Sequence, residues 1–263
     1  MVTADRTNPG SSVRTAVAWD ALRSALESLA KETGRDALEV VDLGGGTGGF
    51  AVALARLGHR VTVVDPSPDA LAALERRVAE AGVGGAVRAA QGDLATAFEV
   101  VEPDSADAVL CHGVLEFADD PAEGCRTAAR LLRPGGLASV LAANRTAVVL
   151  ARALGGHVGE ALAALHDPAG RFGAHDPIPR RFSEAQLRGL LEAAGLAVRA
   201  VHGVRIFADL VPGAVADPAA GPAGGPGARD LLELEAAAAA LPEFLPMATQ
   251  LHVLAVRGRA GME

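Results

Sequence analysis

Between Glu39 and Phe50 the chain reads EVVDLGGGTGGF, an apolar run that passes through Asp42 into Gly44, Gly45, Gly46 and Gly48, with Gly49 behind them. A strand ending in Asp-x-Gly-x-Gly-x-Gly suits a backbone that must turn sharply into a helix while its own N–H groups approach a ligand, because any Cβ would collide there. The apolar stretch Phe50 to Leu57 supplies that helix. Taken alone, such a turn also fits a dinucleotide enzyme, or an α/β protein that needs glycine only for packing.

Working outward, the strand Arg60 to Val64 ends in Asp65. That is about twenty residues beyond the first glycine, where an acidic side chain accepts hydrogen bonds from ribose hydroxyls. Before Pro66, Asp65 also reads as a turn residue or helix cap. A third strand leads to Gln91, Gly92 and Asp93, and a fourth, Asp107 to Leu110, runs into Cys111, His112 and Gly113. Both ends fall on the carboxyl edge of a parallel sheet, where open α/β folds bind ligands. Three features favour a methyl donor over a nicotinamide. The glycines recur every second residue after Asp42, unlike Gly-x-Gly-x-x-Gly. Gly92-Asp93 stands where an adenine amino group wants an acceptor. Leu132-Arg133-Pro134-Gly135-Gly136, a turn into the strand Leu137 to Leu141, resembles the one before the fifth strand of class I S-adenosylmethionine methyltransferases. The chain is identified as a member of that superfamily.

The resemblance extends along nearly the whole chain. RTAVAWDAL from Arg14, VVDLGGGTGGFAVALARLGHRVTVVDPS from Val40, CHGVLEFADDP from Cys111, LRPGGLASVLAAN from Leu132, GVRIFADL from Gly203 and LLELE from Leu231 occur in this order. Together they resemble the bacterial tRNA 5-carboxymethoxyuridine carboxyl methyltransferase family. The resemblance implies a site in which Arg14 takes the methionine carboxylate of the donor and Gly44 and Gly45 approach it. Asp65 holds the ribose, Gln91 and Gly92 with Asp93 border the adenine, and His112 lies near the donor. With the rest of the glycine turn, the cofactor-binding candidates are Arg14, Asp42, Gly44, Gly45, Gly46, Gly48, Asp65, Gln91, Gly92, Asp93 and His112.

These roles agree with side-chain chemistry. An arginine reaching from an N-terminal helix offers a planar fork for bidentate contact with a carboxylate, although Arg14 also reads as a solvated helix charge. Trp19 reads as a core anchor for that helix. His112 is either a general base near its ordinary pKa or a polar wall of the adenosine pocket, and the wall reading is preferred. Methyl transfer from a sulfonium is an in-line displacement, so orientation supplies much of the rate. A carboxylate acceptor is already ionised at neutral pH and needs groups that orient it, for which Arg205, or Arg145 beside Asn144, is suited. The catalytic candidates are therefore His112, Arg205 and Asn144.

Composition bounds the alternatives. With 263 residues, 50% of them hydrophobic and 21% charged, the chain can bury a full core. Cys111 and Cys125 have no metal or disulfide-framework spacing, and no stretch is long and uncharged enough to span a membrane, so the expected setting is cytoplasmic, without metal. His166-Asp167-Pro168 and His175-Asp176-Pro177 read as turn openers rather than ligands. The expected fold is α/β: a Rossmann-like seven-stranded sheet, mostly parallel with the last strand antiparallel, helices on both faces and a small lid insertion. Residues 1–35 form an N-terminal helical cap with a helix from Ser12 to Lys31, and 36–143 the donor-binding core. Residues 144–181 make a less regular lid. Residues 182–258 complete the sheet through a helix from Ser183 to Ala194, a strand from Leu196 to Phe207, a flexible loop at 212–228, a helix from Asp230 to Ala240 and a strand from Gln250 to Arg257.

The net charge of −8 opposes a simple nucleic-acid binder, since that affinity rests on Lys and Arg contacts to phosphate. A local patch from Arg145, Arg152, Arg171, Arg180, Arg181 and Arg205 is the sequence's counter-argument. Three readings stand: methyl transfer to a modified wobble uridine of tRNA, the same chemistry on a small-molecule or natural-product acid, and a donor-binding protein without catalysis. The acidity and the apolar segment Ala147 to Leu165 favour the second over the first.

Overall fold

The computed structural model describes residues 9–211 and 226–258. The elements run α1 (Ala16–Thr33), β1 (Glu39–Leu43), α2 (Gly49–Arg56), β2 (Arg60–Asp65), α3 (Pro68–Ala81), β3 (Val87–Gln91), β4 (Ala106–His112) and α4 (Pro121–Leu131). After them come β5 (Leu132–Ala143), α5 (Arg145–Leu154), α6 (Val158–His166), α7 (Glu184–Ala193), β6 (Leu196–Val204), α8 (Pro226–Ala238) and β7 (Gln250–Arg257). One seven-stranded sheet has the order β3-β2-β1-β4-β5-β7-β6. β7 pairs antiparallel with both β5 and β6, and the remaining pairings are parallel. This is the Rossmann-like methyltransferase sheet expected from the sequence.

The near-continuous apolar strands follow from burial on both faces. In β1 the side chains alternate: Val41 and Leu43 join a core with Cys125 and Leu131 of α4 and Leu187 and Leu191 of α7. Val40 faces the other way, toward Trp19 and Leu22 of α1, Leu54 of α2 and Leu74 of α3. Trp19 is 5% exposed, a core anchor for α1.

Several boundaries differ from the sequence reading, each for a local reason. α1 starts at Ala16 rather than Ser12, because the Thr15 hydroxyl donates to Pro9 O at 2.5 Å and residues 12–15 form a preceding turn. The Leu132–Gly136 turn is carried inside β5 as a bulge. Ala106 pairs with Leu132 but Ala108 pairs with Leu137, so the intervening residues loop out, with Gly135 at φ 83. The stretch 144–181 is more regular than expected, holding α5 and α6; Asn144 caps α5 by accepting from Thr146 N–H at 3.1 Å, and the Ala- and Leu-rich sequence then favours helix. Asp167 and Asp176 open turns, accepting from Ala169 and Ile178 N–H. The capped helix α7 begins as expected, with Ser183 and Gln186 forming a reciprocal capping box. β6 stops at Val204, short of Phe207, because Arg205 turns into φ 60. α8 begins at Pro226 and ends at Ala238, earlier than expected; most of the expected loop, 212–225, lies outside the described residues. Among the described residues no helix is long and apolar enough to cross a membrane.

Candidate active site

The chain leaves β1 and β4 in opposite directions across the sheet, and that switch point opens a crevice at their carboxyl ends. The glycine turn forms one side of it. Gly44, Gly46 and Gly48 adopt φ 65, 53 and 75, so the glycine at every second position answers a left-handed backbone at every second position. A Cβ at Gly44 would fall 2.4 Å from Val114 Cγ2, and one at Gly48 would fall 2.1 Å from Leu74 Cδ1. At Gly46 it would meet only Asp65 Oδ2, at 3.9 Å, so the turn keeps open space on that side.

Asp65 ties this turn to its neighbours. Its Oδ2 accepts from Gly46 N–H at 2.8 Å and its Oδ1 from Ser67 N–H at 2.9 Å, while its backbone carbonyl accepts from Gly92 N–H at 3.2 Å. Gln91 Nε2 reaches Pro66 O at 3.4 Å. Gly46, Asp65, Gln91 and Gly92 are thus gathered at the tips of three adjacent strands. A carboxylate has about four lone-pair positions, so both turn bonds leave Asp65 acceptor capacity for a diol. Asp93 serves its own loop: its Oδ1 accepts from Ala95 N–H, Thr96 N–H and the Thr96 hydroxyl, and the Thr96 backbone bond leads in holding its carboxyl below the usual range.

Beneath the turn lies Asp42, 3% exposed. Burial, reinforced by the charge of Asp65, pushes its carboxyl up from 3.8 to about 7. Such a group holds a proton across part of the physiological range. A glycine turn with open space on the crevice side, a carboxylate at the tip of β2 and a buried acid beneath together fit a donor with a nucleoside at one end and a cationic centre at the other.

His112 closes the crevice from β4. Its ring meets Phe50 edge-on at 4.8 Å, and Phe50 in turn meets Trp19 at 5.9 Å. Nε2 lies 2.8 Å from Ser139 Oγ, which lies 2.8 Å from Nε2 of the fully buried His252; His202 stacks on that ring at 5.6 Å. Burial drives His112 down to about 4 and lowers His202 and His252 as well, so all three rings are neutral at physiological pH. A ring lowered to about 4 fits the polar-wall reading of His112 better than that of a base titrating near neutrality.

The acceptor-side candidates divide. Ala143, Gln250 and Val204 are register partners, so Asn144 and Arg205 emerge at the same sheet edge as His112. Asn144 is a scaffold residue there. Its Nδ2 donates to the carbonyls of Leu245, Pro246 and Ala248 at 3.0, 3.2 and 2.8 Å, and its Oδ1 caps α5, so both of its N–H donors are committed within the fold. Arg205 contacts Asp209 at 2.5 Å, with its Nε buried and unbonded. Arg14 is exposed and stands before α1, not within it. The expected basic patch is largely spent inside the fold. Arg181 forms a buried pair with Asp176 at 2.6 and 3.0 Å, Arg152 pairs with Glu160 and covers the Phe172 ring at 3.7 Å, and Arg145 and Arg180 bond the carbonyls of Leu165 and Ala118. Sequence reasoning missed Phe50, Ser139, His252 and Glu235. A histidine inside the apolar strand QLHVLAV was the available signal for His252, since a lone polar residue in such a run needs a buried partner.

Comparison with known proteins agrees with this geometry. Residues 41–140 match a family model described as a methyltransferase domain. The chain is 30% identical over 200 residues to tRNA 5-carboxymethoxyuridine methyltransferase of Escherichia coli K12, covering 75% of this chain and 72% of that protein. It is 34% identical over 166 residues to a ubiquinone biosynthesis O-methyltransferase of Xanthomonas euvesicatoria, covering 63% and 65%. The structure of magnesium protoporphyrin IX methyltransferase from Synechocystis PCC 6803 with bound S-adenosylhomocysteine shares the fold at TM-score 0.58 and 16% identity, over 94% of this chain and 86% of that one. The chain belongs to the class I S-adenosylmethionine-dependent methyltransferases. Its methyl donor is S-adenosylmethionine.

Two outcomes follow for the donor side. Asp65→Ala removes the acceptor for two turn amides as well as for the diol, and should lower S-adenosylhomocysteine affinity in calorimetry by about 1–3 kcal/mol together with a lower Tm; unchanged affinity contradicts the pocket. For Asp42 the sign runs against stability at high pH. Below about 3.8 both folded and unfolded chains hold the proton, and between there and about 7 only the folded chain does, so stability falls as pH rises through that window. The Tm of Asp42→Asn relative to wild type should therefore climb between pH 4 and pH 8. A constant difference contradicts the raised carboxyl.

Proposed function

We propose that the chain methylates a carboxylate, that of 5-carboxymethoxyuridine in tRNA, with S-adenosylmethionine as donor. The observation that carries this reading is a sheet edge that offers an arginine, Arg205, beside a histidine neutral at pH 7, while Asp42, whose carboxyl is raised to about 7, is buried under the glycine turn on the donor side. Arg205 supplies N–H donors to an incoming carboxylate while Asp209 holds the other part of its fork. When bound, the donor supplies a sulfonium methyl group. The carboxylate oxygen forms the new O–CH3 bond as the S–CH3 bond breaks and leaves its electron pair on sulfur, giving a methyl ester and S-adenosylhomocysteine. No proton changes hands.

The charges of the two reactants cancel along this path, so a dry site helps and a hydrated one hinders. Trp19 is buried and Phe50 packs edge-on between it and the His112 ring, which narrows the room for water beside the donor. Orientation then contributes most of what the protein adds, up to roughly 7–11 kcal/mol for a well-held pair. Arg14 is assigned to the donor's amino-acid end, Asp65 to its ribose, Gln91 and Gly92 to the rim of its base, and residues 144–181, with α5 and α6, to the acceptor side.

Two observations favour a small-molecule acid as the second reading. The net charge is −8, and most arginines of the acceptor side are paired within the fold. The two readings separate in one assay. Labelled donor is offered with bulk tRNA carrying 5-carboxymethoxyuridine and, separately, with a total small-metabolite extract. Label should enter tRNA and leave as methanol under dilute alkali, because methyl esters hydrolyse there. Label only in the extract selects the second reading, and a base-stable product contradicts a carboxylate acceptor altogether.

A further inference from the structure

β6 ends at Val204, and Arg205 behind it sits at φ 60, a left-handed conformation that a residue with a Cβ keeps only when its surroundings enforce it. The next three backbone amides show what enforces it. Ile206 N–H donates to Oε2 of Glu235 at 2.9 Å, and Phe207 and Ala208 N–H both donate to Oε1 at 2.8 Å. Successive amides behind a left-handed residue form a concave cradle for an anion. Here the anion comes from the chain's own α8, and Glu235 is 0% exposed. Two further bonds lock the same turn. Thr249 N–H donates to Arg205 O at 3.1 Å, and the Thr249 hydroxyl donates at 2.7 Å to Asp209, the carboxylate that meets the Arg205 guanidinium.

We propose that Glu235 is a positioning residue for methyl transfer: its carboxylate, by gathering the amides of Ile206, Phe207 and Ala208, holds the Arg205 turn so that the guanidinium is aimed at the acceptor before the acceptor arrives. The proposal rests on the reading of Arg205 as the acceptor's partner. Glu235 itself touches neither reactant. Its contribution is preorganisation: an arginine on a free loop would have to be ordered at each binding event, and a side chain displaced by an ångström orients a nucleophile poorly. The arrangement also links the motif Gly-Val-Arg-Ile-Phe to the later Leu-Leu-Glu-Leu-Glu. One supplies the amides and the arginine, and the other supplies the acid that fixes them.

The test separates positioning from mere stability. Glu235→Gln keeps the side chain's size but replaces one acceptor oxygen with an NH2 that faces a backbone N–H. Its kcat and KM are measured with bulk tRNA carrying 5-carboxymethoxyuridine, alongside S-adenosylhomocysteine affinity and Tm, and compared with Arg205→Ala and the double variant. Glu235→Gln should lower kcat/KM for that tRNA about 10- to 100-fold with donor affinity unchanged. The double variant should be no worse than Arg205→Ala alone, because the clamp acts through the arginine. Losses that multiply in the double variant, or wild-type kcat/KM in Glu235→Gln, overturn the clamp while Arg205→Ala stays impaired. Wild-type kcat/KM in Arg205→Ala, or a wild-type protein that leaves this tRNA unmethylated, overturns the acceptor reading and the clamp's role with it. Should Glu235→Gln fail to fold, Glu235→Asp, which retains both oxygens but draws them back by one methylene, carries the same comparison.

Discussion

The carboxylate of Asp65 bonds the Gly46 amide with one oxygen and the Ser67 amide with the other, and the donor edge of the sheet depends on that tie. It fixes the tip of β1 against the tip of β2 while leaving the glycine turn open on the crevice side. The backbone carbonyl of the same residue anchors Gly92 at the tip of β3. A single acidic residue therefore ties three strand ends together. The alternate glycines exist to let the first strand reach it.

Desolvation decides what chemistry that surface can support. Burial raises Asp42 to about 7, so it is only partly ionised at neutral pH, and lowers His112 to about 4, so its ring stays neutral even in mild acid. The histidine row from His112 through Ser139 and His252 to His202 is a polar seam inside an apolar sheet. Nε2 of His112 and of His252 share the Ser139 hydroxyl, while Nδ1 of all three rings is buried without a partner. What remains at the edge is an arginine on a clamped turn, and an arginine orients anions.

Much of this was legible along the chain because it is local. The spacing of Gly44, Gly46 and Gly48 matches three left-handed positions, Asp65 follows directly from its strand, and the Ser183 capping box is written in four adjacent residues. The differences arose where distant residues decide. Asn144 stood among the catalytic candidates, but its amide N–H groups bond Leu245, Pro246 and Ala248 from the other end of the chain. The strand before Arg205 looked longer because nothing near it in sequence announces that Glu235 will draw away the amides of its last residues. The arginines of 144–181 looked like a nucleic-acid surface, but partners such as Asp176, Glu160 and Phe172 claim several of them. Pairing across a fold is a tertiary property, and counting charges does not reveal it.

The central claim is that this site orients an acceptor that is already ionised and removes no proton. The pH dependence of kcat, measured at saturating donor and saturating tRNA carrying 5-carboxymethoxyuridine between pH 5.5 and 8.5, tests it most directly, because saturation removes any effect of Asp42 on donor binding and Asp42→Asn, run beside the wild type, reports any effect of that carboxyl on the chemical step. The account predicts a flat profile, the carboxylate being ionised and His112 neutral throughout. A rate that rises about tenfold per pH unit toward a plateau near neutrality would mean that a base titrates in the reacting complex, and it would contradict the account.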